Sequence, residues 1–234
     1  MKPSLSKRMM CLANMVTPGK RIADIGCDHA LVSIYLVSEG ISPKVLAMDI
    51  GEGPLEAAKA NIEKYGLSES IETRLSDGMS ELKPGETDGA VIAGMGGLTI
   101  VGILERGLHN ISPGYELVLS PQSEIPEVRA FLRTHGIKII DEEMIIEDDK
   151  YYNIIKAVAT DEEHIDTNEL YDTYSQFLIE KKSPIYLRYL EENLEKMNGI
   201  YCRLSKHDGD KVIDRMAEIR GEVDDIARIL DMMK

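Results

Sequence analysis

Residues 21–30, RIADIGCDHA, carry the strand end, turn and helix start around which the rest of the chain is arranged. Ile22, Ala23 and Ile25 have the apolar character of a buried strand, while Asp24 and Gly26 put a carboxylate and a position without a side chain where that strand leaves its sheet. The apolar run LVSIYLV at residues 31–37 then reads as the following helix. Strand, tight turn and helix in this order bring a ligand close to backbone N–H groups, which is how a nucleotide site begins. Asp28 and Ala30 stand where a dinucleotide fingerprint has its second and third glycines, so the turn alone does not specify the ligand.

The strands that follow sharpen the picture. Residues 44–50 (KVLAMDI) end near Asp49, at the interval after the first turn where an acid accepts hydrogen bonds from ribose hydroxyls. Residues 71–77 (IETRLSD) end in Asp77-Gly78, where a carboxylate can take the amino group of an adenine; Asp-Gly is equally the composition of a plain turn. A fourth strand, residues 89–95, runs into Gly94-Met95-Gly96-Gly97. Acids and glycines at successive strand ends gather on one edge of a parallel sheet.

Further along, residues 4–16 show one apolar helical face (Leu5, Met9, Leu12, Val16). Pro54 suits the first position of a helix over 55–65, and Gly66 suits its C-cap. A helix is expected over 98–109, a strand over 115–119 and a helix over 124–135. Residues 137–147 and 151–159, joined by Asp148-Asp149-Lys150, read as an antiparallel hairpin. Parallel strand-helix units closed by a hairpin favour a class I methyltransferase core over a dehydrogenase, whose second half would hold more parallel strands.

The last 70 residues change character. Leu170, Tyr174, Phe177 and Leu178 mark a short helix. Leu187, Leu190, Leu194, Met197, Tyr201 and Leu204 then alternate spacings of three and four, as do Val212, Met216, Ile219, Val223, Ile226, Leu230 and Met233. These are two coiled-coil seams. The turn between them, His207-Asp208-Gly209-Asp210, with Asp210 as N-cap, makes them antiparallel. The expected organisation is therefore α/β, a Rossmann-like seven-stranded sheet over residues 1–160 followed by a helical antiparallel coiled-coil domain over 161–234.

Composition bounds the function. Of the 234 residues 43% are hydrophobic, enough for a core, and no apolar run approaches membrane-spanning length. Cys11, Cys27 and Cys202 show no paired spacing, so neither a metal site nor a disulfide framework is expected, and a reducing cytoplasm fits. The net charge of −14 weighs against a polyanionic partner. Yet the first 21 residues hold five basic residues and no acid (Lys2, Lys7, Arg8, Lys20, Arg21), a local strip able to meet phosphate. A solvated helix face is the plainer reading of the same cluster.

DIGCDHA, AMDI with the following GPLEAAKANIEKYGL, SDG and VIAGMGG, followed by a coiled coil, resemble the bacterial tRNA adenine-N1 methyltransferases that modify a D-loop adenosine. The resemblance runs through nearly the whole chain. It implies S-adenosyl-L-methionine as cofactor and tRNA as substrate. The fourth strand ends in GMGG, not in the Asn/Asp-Pro-Pro-aromatic signature of many amino-group methyltransferases, which argues against an exocyclic amine as acceptor.

Beside that resemblance the candidate roles divide as follows. Asp24, Gly26 and Cys27 would meet the methionine end of the cofactor, Asp49 and Ile50 the ribose side, Asp77 and Gly78 the adenine, and Gly94, Met95 and Gly96 the approach to the methyl group. Asp28 and His29 are the catalytic candidates, because adenine N1 has an in-plane lone pair and needs orientation and a nearby acceptor for the developing cation, not a strong base. Lys7, Arg8, Gly97 and Gln122 are the candidate substrate contacts. Lys20 and Arg21 extend the basic strip, with Arg129 and Arg133 as further members. The coiled coil is expected to close within one chain and leave a monomer. Two other readings stay open: a methyltransferase with a small-molecule or protein acceptor, and a non-catalytic adaptor on a nucleotide-binding fold.

Overall fold

The computed structural model describes residues 3–161, 169–207 and 209–234. It holds two compact units, Met1–Tyr174 and Ser175–Lys234. The first is built on a seven-stranded sheet in the order β3-β2-β1-β4-β5-β7-β6. β1 (Ile22–Ile25), β2 (Val45–Asp49), β3 (Ile71–Leu75), β4 (Gly89–Ala93) and β5 (Glu116–Ser120) are parallel. The hairpin β6 (Ile137–Glu147) and β7 (Lys150–Ala159) adds two antiparallel strands, β7 pairing with β5. Its two-residue turn, Asp148-Asp149, has both residues at positive φ (49° and 57°), the twist that suits a tight hairpin.

The central strands read as unbroken apolar runs because both faces of the sheet are covered. Alternate residues belong to different cores: Ala23, Ile25, Leu46, Met48, Ala90 and Ile92 to one, Ile22, Val45, Ala47 and Val91 to the other. The first core is closed by α4 (Gly97–Gly107) and α5 (Ile125–Thr134), through Ile100, Leu104, Val128 and Leu132. The second is closed by α1 (Lys7–Asn14), α2 (Leu31–Ser38) and α3 (Glu52–Tyr65), through Leu12, Ile34, Leu36, Leu55 and Ile62. Ser6 caps α1 by accepting from the N–H of Met9.

Several elements depart from their expected bounds for local reasons. α3 begins at Glu52, so Pro54 is its third residue; N–H groups in the first turn have no intrahelical acceptor, and proline loses nothing there. β3 stops at Leu75, leaving Asp77 and Gly78 in the loop beyond it. α4 gives way to a 3₁₀ turn, Leu108–Asn110. The expected helix around 170–178 is two short ones, α6 (Leu170–Thr173) and α7 (Gln176–Glu180), because Tyr174 is extended and the Ser175 side chain caps α7 by accepting from Leu178 N–H.

The unit boundary falls after Tyr174, later than the expected 160/161, and buried arginine explains it. Arg129 on α5 forms an ion pair with Glu142 at 2.8 Å and also donates to the carbonyls of Asp172 and Thr173, each at 3.1 Å. Arg133 pairs with the Asp172 carboxylate at 2.6 Å. These bonds tie α6 to α5.

In the second unit, α8 (Pro184–Leu204) and α9 (Asp210–Met233) pack along the expected seams. Leu190, Ile219, Ile226 and Met233 are buried there, and the outer seam positions are half-buried. Ile229, off the seam, is also buried, and α7 packs against α9 as well. Asp210 is the first helical residue; Gly209 precedes it and supplies no side-chain cap. Asp208 of the expected turn lies outside the described residues. Among the described residues no helix is long and apolar enough to cross a membrane, and no cluster of His, Cys, Asp or Glu is arranged to hold a metal ion.

Candidate functional site

The chain leaves β1 through a strained turn. Gly26 has φ of +72°, and the non-glycine residues Asp28 (+49°) and Ala30 (+56°) also sit in the left-handed region, where side chains are disfavoured. What holds them is β2: the N–H groups of Gly26 and Cys27 both donate to the Met48 carbonyl, at 2.8 and 3.0 Å. The N–H of Asp28 donates to the Asp49 carboxylate at 3.2 Å, and the other oxygen of Asp49 accepts from Gly51 N–H at 2.9 Å. Asp49 is thereby fixed at the end of its strand with lone pairs to spare.

A cleft of about 560 Å³ opens at this edge, within the range of ~300–1,000 Å³ usual for small-molecule sites. Gly26, Asp28, Asp49, Ile50, Asp77, Gly78, Gly94, Met95 and Gln122 all line it, and so does Arg8 from α1. A smaller pocket of about 240 Å³ adjoins it, lined by Asp24, Cys27 and His29 and sharing Gly26 and Asp28 with the cleft. The structure therefore brings together most of the residues read from the sequence.

Three candidates lie apart. Lys7 is exposed at the start of α1, and Gly96 is the N-cap of α4; neither lines the cleft. Gly97, expected at the substrate, is instead buried: its N–H donates to the Ser123 carbonyl at 3.0 Å, and a Cβ there would strike the backbone of Ser123 and Glu124. Its lack of a side chain serves close backbone packing.

The basic strip is also corrected. Lys20 and Arg21 precede β1 and so sit at the opposite edge of the sheet. Lys20 donates to the Gly114 carbonyl at 2.9 Å, and Arg21 is paired with Asp88 at 2.7 Å. Arg129 is buried against Glu142 and Arg133 is engaged by Asp172. Lys2 lies outside the described residues, and of the other strip residues Lys7 and Arg8 remain, on α1, at the carboxyl edge.

Other lining residues escaped the sequence reading. Arg106 on α4 donates to the Asp77 carboxylate at 3.2 Å, holding it at the rim. Met9, Ser76, Thr99 and Ile103 also line the cleft. A single arginine following the apolar face of α4 was the available signal for Arg106, but its partner lies 29 residues away.

Burial sets the electrostatics of the smaller pocket. Asp24 is 4% exposed, and its carboxyl is pushed up to about 6 by that burial, against the stabilising hydrogen bond it accepts from Ser33 at 2.6 Å; the nearby charge of Asp49 adds to the rise. Burial, then the charges of Asp24 and Asp49, push the Cys27 thiol far up, so it is no nucleophile. Asp28 and His29 are both exposed; their 3.7 Å separation is too long for a hydrogen bond.

Residues 5–155 match the family model of the methyltransferase domain. The chain is 31% identical over 236 positions to the tRNA (adenine(22)-N(1))-methyltransferase of Bacillus subtilis, with 97% of each covered. Among solved structures it is similar to Mycoplasma capricolum TrmK in complex with S-adenosyl-homocysteine, with a TM-score of 0.84 and 29% identity over 98% of this chain and 99% of that one. It is also similar to a Streptococcus pneumoniae protein in complex with S-adenosyl-L-methionine, with a TM-score of 0.85 and 28% identity over 97% of this chain and all of that one.

Proposed function

Because the chain belongs to the methyltransferase-domain family, and within it to the tRNA (adenine(22)-N(1))-methyltransferases, we propose that it methylates N1 of a D-loop adenosine in tRNA. The methyl donor is S-adenosyl-L-methionine. The observation that carries the site assignment is the convergence of Gly26, Asp49 and Asp77 on one cleft at the ends of β1, β2 and β3.

The residues fit that cofactor group by group. Asp49, anchored by two backbone N–H groups, keeps acceptor capacity for a pair of ribose hydroxyls. Asp77, braced by Arg106, accepts from the adenine amino group, and Ile50, 70% exposed, offers the ring an apolar contact. Gly26 lets the ligand approach backbone, and Asp24 in the adjoining pocket supplies a negative charge for an ammonium group. When bound, the cofactor supplies an electrophilic methyl group.

The acceptor needs little acid-base help, since adenine N1 carries a free lone pair in the ring plane. Orientation is the main task, worth up to ~7–11 kcal/mol when the reacting groups are held well. Asp28, at the border of the two pockets, is placed to stabilise positive charge arriving on the base, and His29 and Gln122 supply contacts for it. N1 lies on the pairing edge, so the nucleotide must leave its tertiary contacts to enter. Lys7, exposed at the start of α1, is the candidate phosphate contact.

The packing of α8 on α9 within one chain supports a monomer, which sedimentation would test. Mass spectrometry of nucleosides from tRNA incubated with protein and cofactor tests the whole reading. It should detect 1-methyladenosine with the native chain and at least about 100-fold less with Asp28→Ala. Methylation of a protein or small molecule with none in tRNA would overturn the substrate assignment.

A further inference from the structure

Two cations, Arg8 and Arg106, line the cleft among its described residues. Arg106 is committed to Asp77. Arg8 forms no side-chain ion pair among the described residues, although the Glu147 carboxylate lies within reach of its charge. Its guanidinium carbon lies 4.9 Å from the centre of the Tyr152 ring, and its backbone N–H donates to the Glu147 carboxylate at 3.4 Å. Its Nε and Nη1 are buried with no hydrogen-bond partner.

A buried cationic donor without an acceptor is costly, and an anion entering the cleft would relieve that cost. None of the cleft's carboxylates bonds the Arg8 side chain: Asp49 accepts from backbone, Asp77 is held by Arg106, and Asp28 is exposed. What the wall formed by α1 and β7 offers is a cation whose orientation is set by an aromatic ring and whose donors can turn to an anion.

We propose that Arg8 is the oxyanion receptor of this cleft, with Tyr152 as its positioning residue. This rests on the methyltransferase reading, and it names two sources for the same chemistry: the carboxylate of the cofactor's amino-acid tail, or a phosphate of the entering nucleotide. The first balances the charges of the site, since the acids around the Gly26 turn suit the ammonium of that tail and leave its carboxylate to a cation. The second requires the phosphate to enter the cleft beside the base.

Calorimetry on the full chain separates them, using S-adenosyl-L-methionine and 5′-methylthioadenosine, which keeps the adenosyl group and lacks the tail. If the carboxylate is the ligand, Arg8→Gln weakens the first compound by at least about tenfold and leaves the second within about twofold. If the phosphate is the ligand, both affinities stay, and KM for tRNA at saturating cofactor rises at least about fivefold with kcat retained. Either result supports the receptor. Arg8→Lys, which keeps charge but loses the planar guanidinium and its stacking on Tyr152, should recover only part of the loss, and Tyr152→Leu should move the same quantity by a smaller factor than Arg8→Gln. Arg8→Gln with all three quantities unchanged would overturn the inference, as would an equal loss for both compounds, which would mark Arg8 as a mere wall of the cleft. A native chain that binds neither compound would overturn the reading of the cleft itself, and this inference with it.

Discussion

At the amino edge of the sheet, charge is matched with charge. Arg21 pairs with Asp88, Lys20 caps the Gly114 carbonyl, and the buried Glu116 takes hydrogen bonds from Thr17 while lying 3.5 Å from Lys156. At the carboxyl edge less is matched: Arg106 holds Asp77, but Asp49 is held by backbone alone, Asp28 stands exposed on a left-handed residue, and Arg8 keeps two buried nitrogens without acceptors. Partners supplied from within the fold mark residues that stabilise it. Partners withheld, together with backbone strain, mark residues kept for a ligand.

The sharpest test of this contrast is Asp49→Ala, which should weaken S-adenosyl-L-methionine by at least about 100-fold, since two charge-assisted hydrogen bonds are lost. Calorimetry would read it, and affinity within a few-fold of native would break the contrast at its strongest point. Asp24→Asn should do something different, raising stability while keeping the acceptor for Ser33. The Asp24 carboxyl is pushed up to about 6 in the fold, so ionising it opposes folding; the penalty is absent below its ordinary value near 3.8 and complete above about 6. Urea unfolding should therefore find the variant more stable by about 3 kcal/mol at pH 7.5 and equal to native near pH 3. A variant less stable at pH 7.5 would show that the ionised carboxylate is a structural asset.

Gly97→Ala should cost about 2 kcal/mol, because the added methyl meets backbone at Ser123 and Glu124 that cannot swing away. A native melting temperature would return Gly97 to the list of ligand contacts. The smallest effect is expected at the amino edge. Arg21 holds the Asp88 carboxyl down to about 2, so its contribution is present above the ordinary value of 3.8 and is lost as pH falls through 2. The pair is more than one-third exposed, and Asp88→Asn should cost below about 1 kcal/mol at pH 7, vanish near pH 2, and leave cofactor affinity unchanged. A tenfold loss of affinity would blur the distinction between the two edges.

The strands were legible because parallel strands buried on both faces leave apolar runs, and an acid ending such a run, as Asp49 does, has few other uses. Register carried the rest: successive strand ends align at one edge only if the strands are parallel, which the helices between them require. The cations were read poorly. Position alone put Arg21 at the far edge from Gly26, since it precedes the strand that Gly26 follows. Arg129 was not placeable from helix periodicity, because its partner Glu142 comes from a strand 13 residues later that passes behind α5. Gly97 misled for a related reason: a glycine cluster after a strand does not say which glycine faces a ligand and which faces another backbone. Arg8 was visible as a basic residue, but its role depends on Tyr152, 144 positions away, reaching the same wall.

Whether the carboxyl edge of this sheet holds the cofactor is decided by a crystal soaked with S-adenosyl-L-methionine. Adenosyl density is expected between the Gly26 turn, Asp49 and Asp77, with the amino-acid tail directed toward the Asp24 pocket. Density at the amino edge beside Arg21 and Asp88, or at the α8–α9 hairpin with the cleft left to solvent, would contradict it.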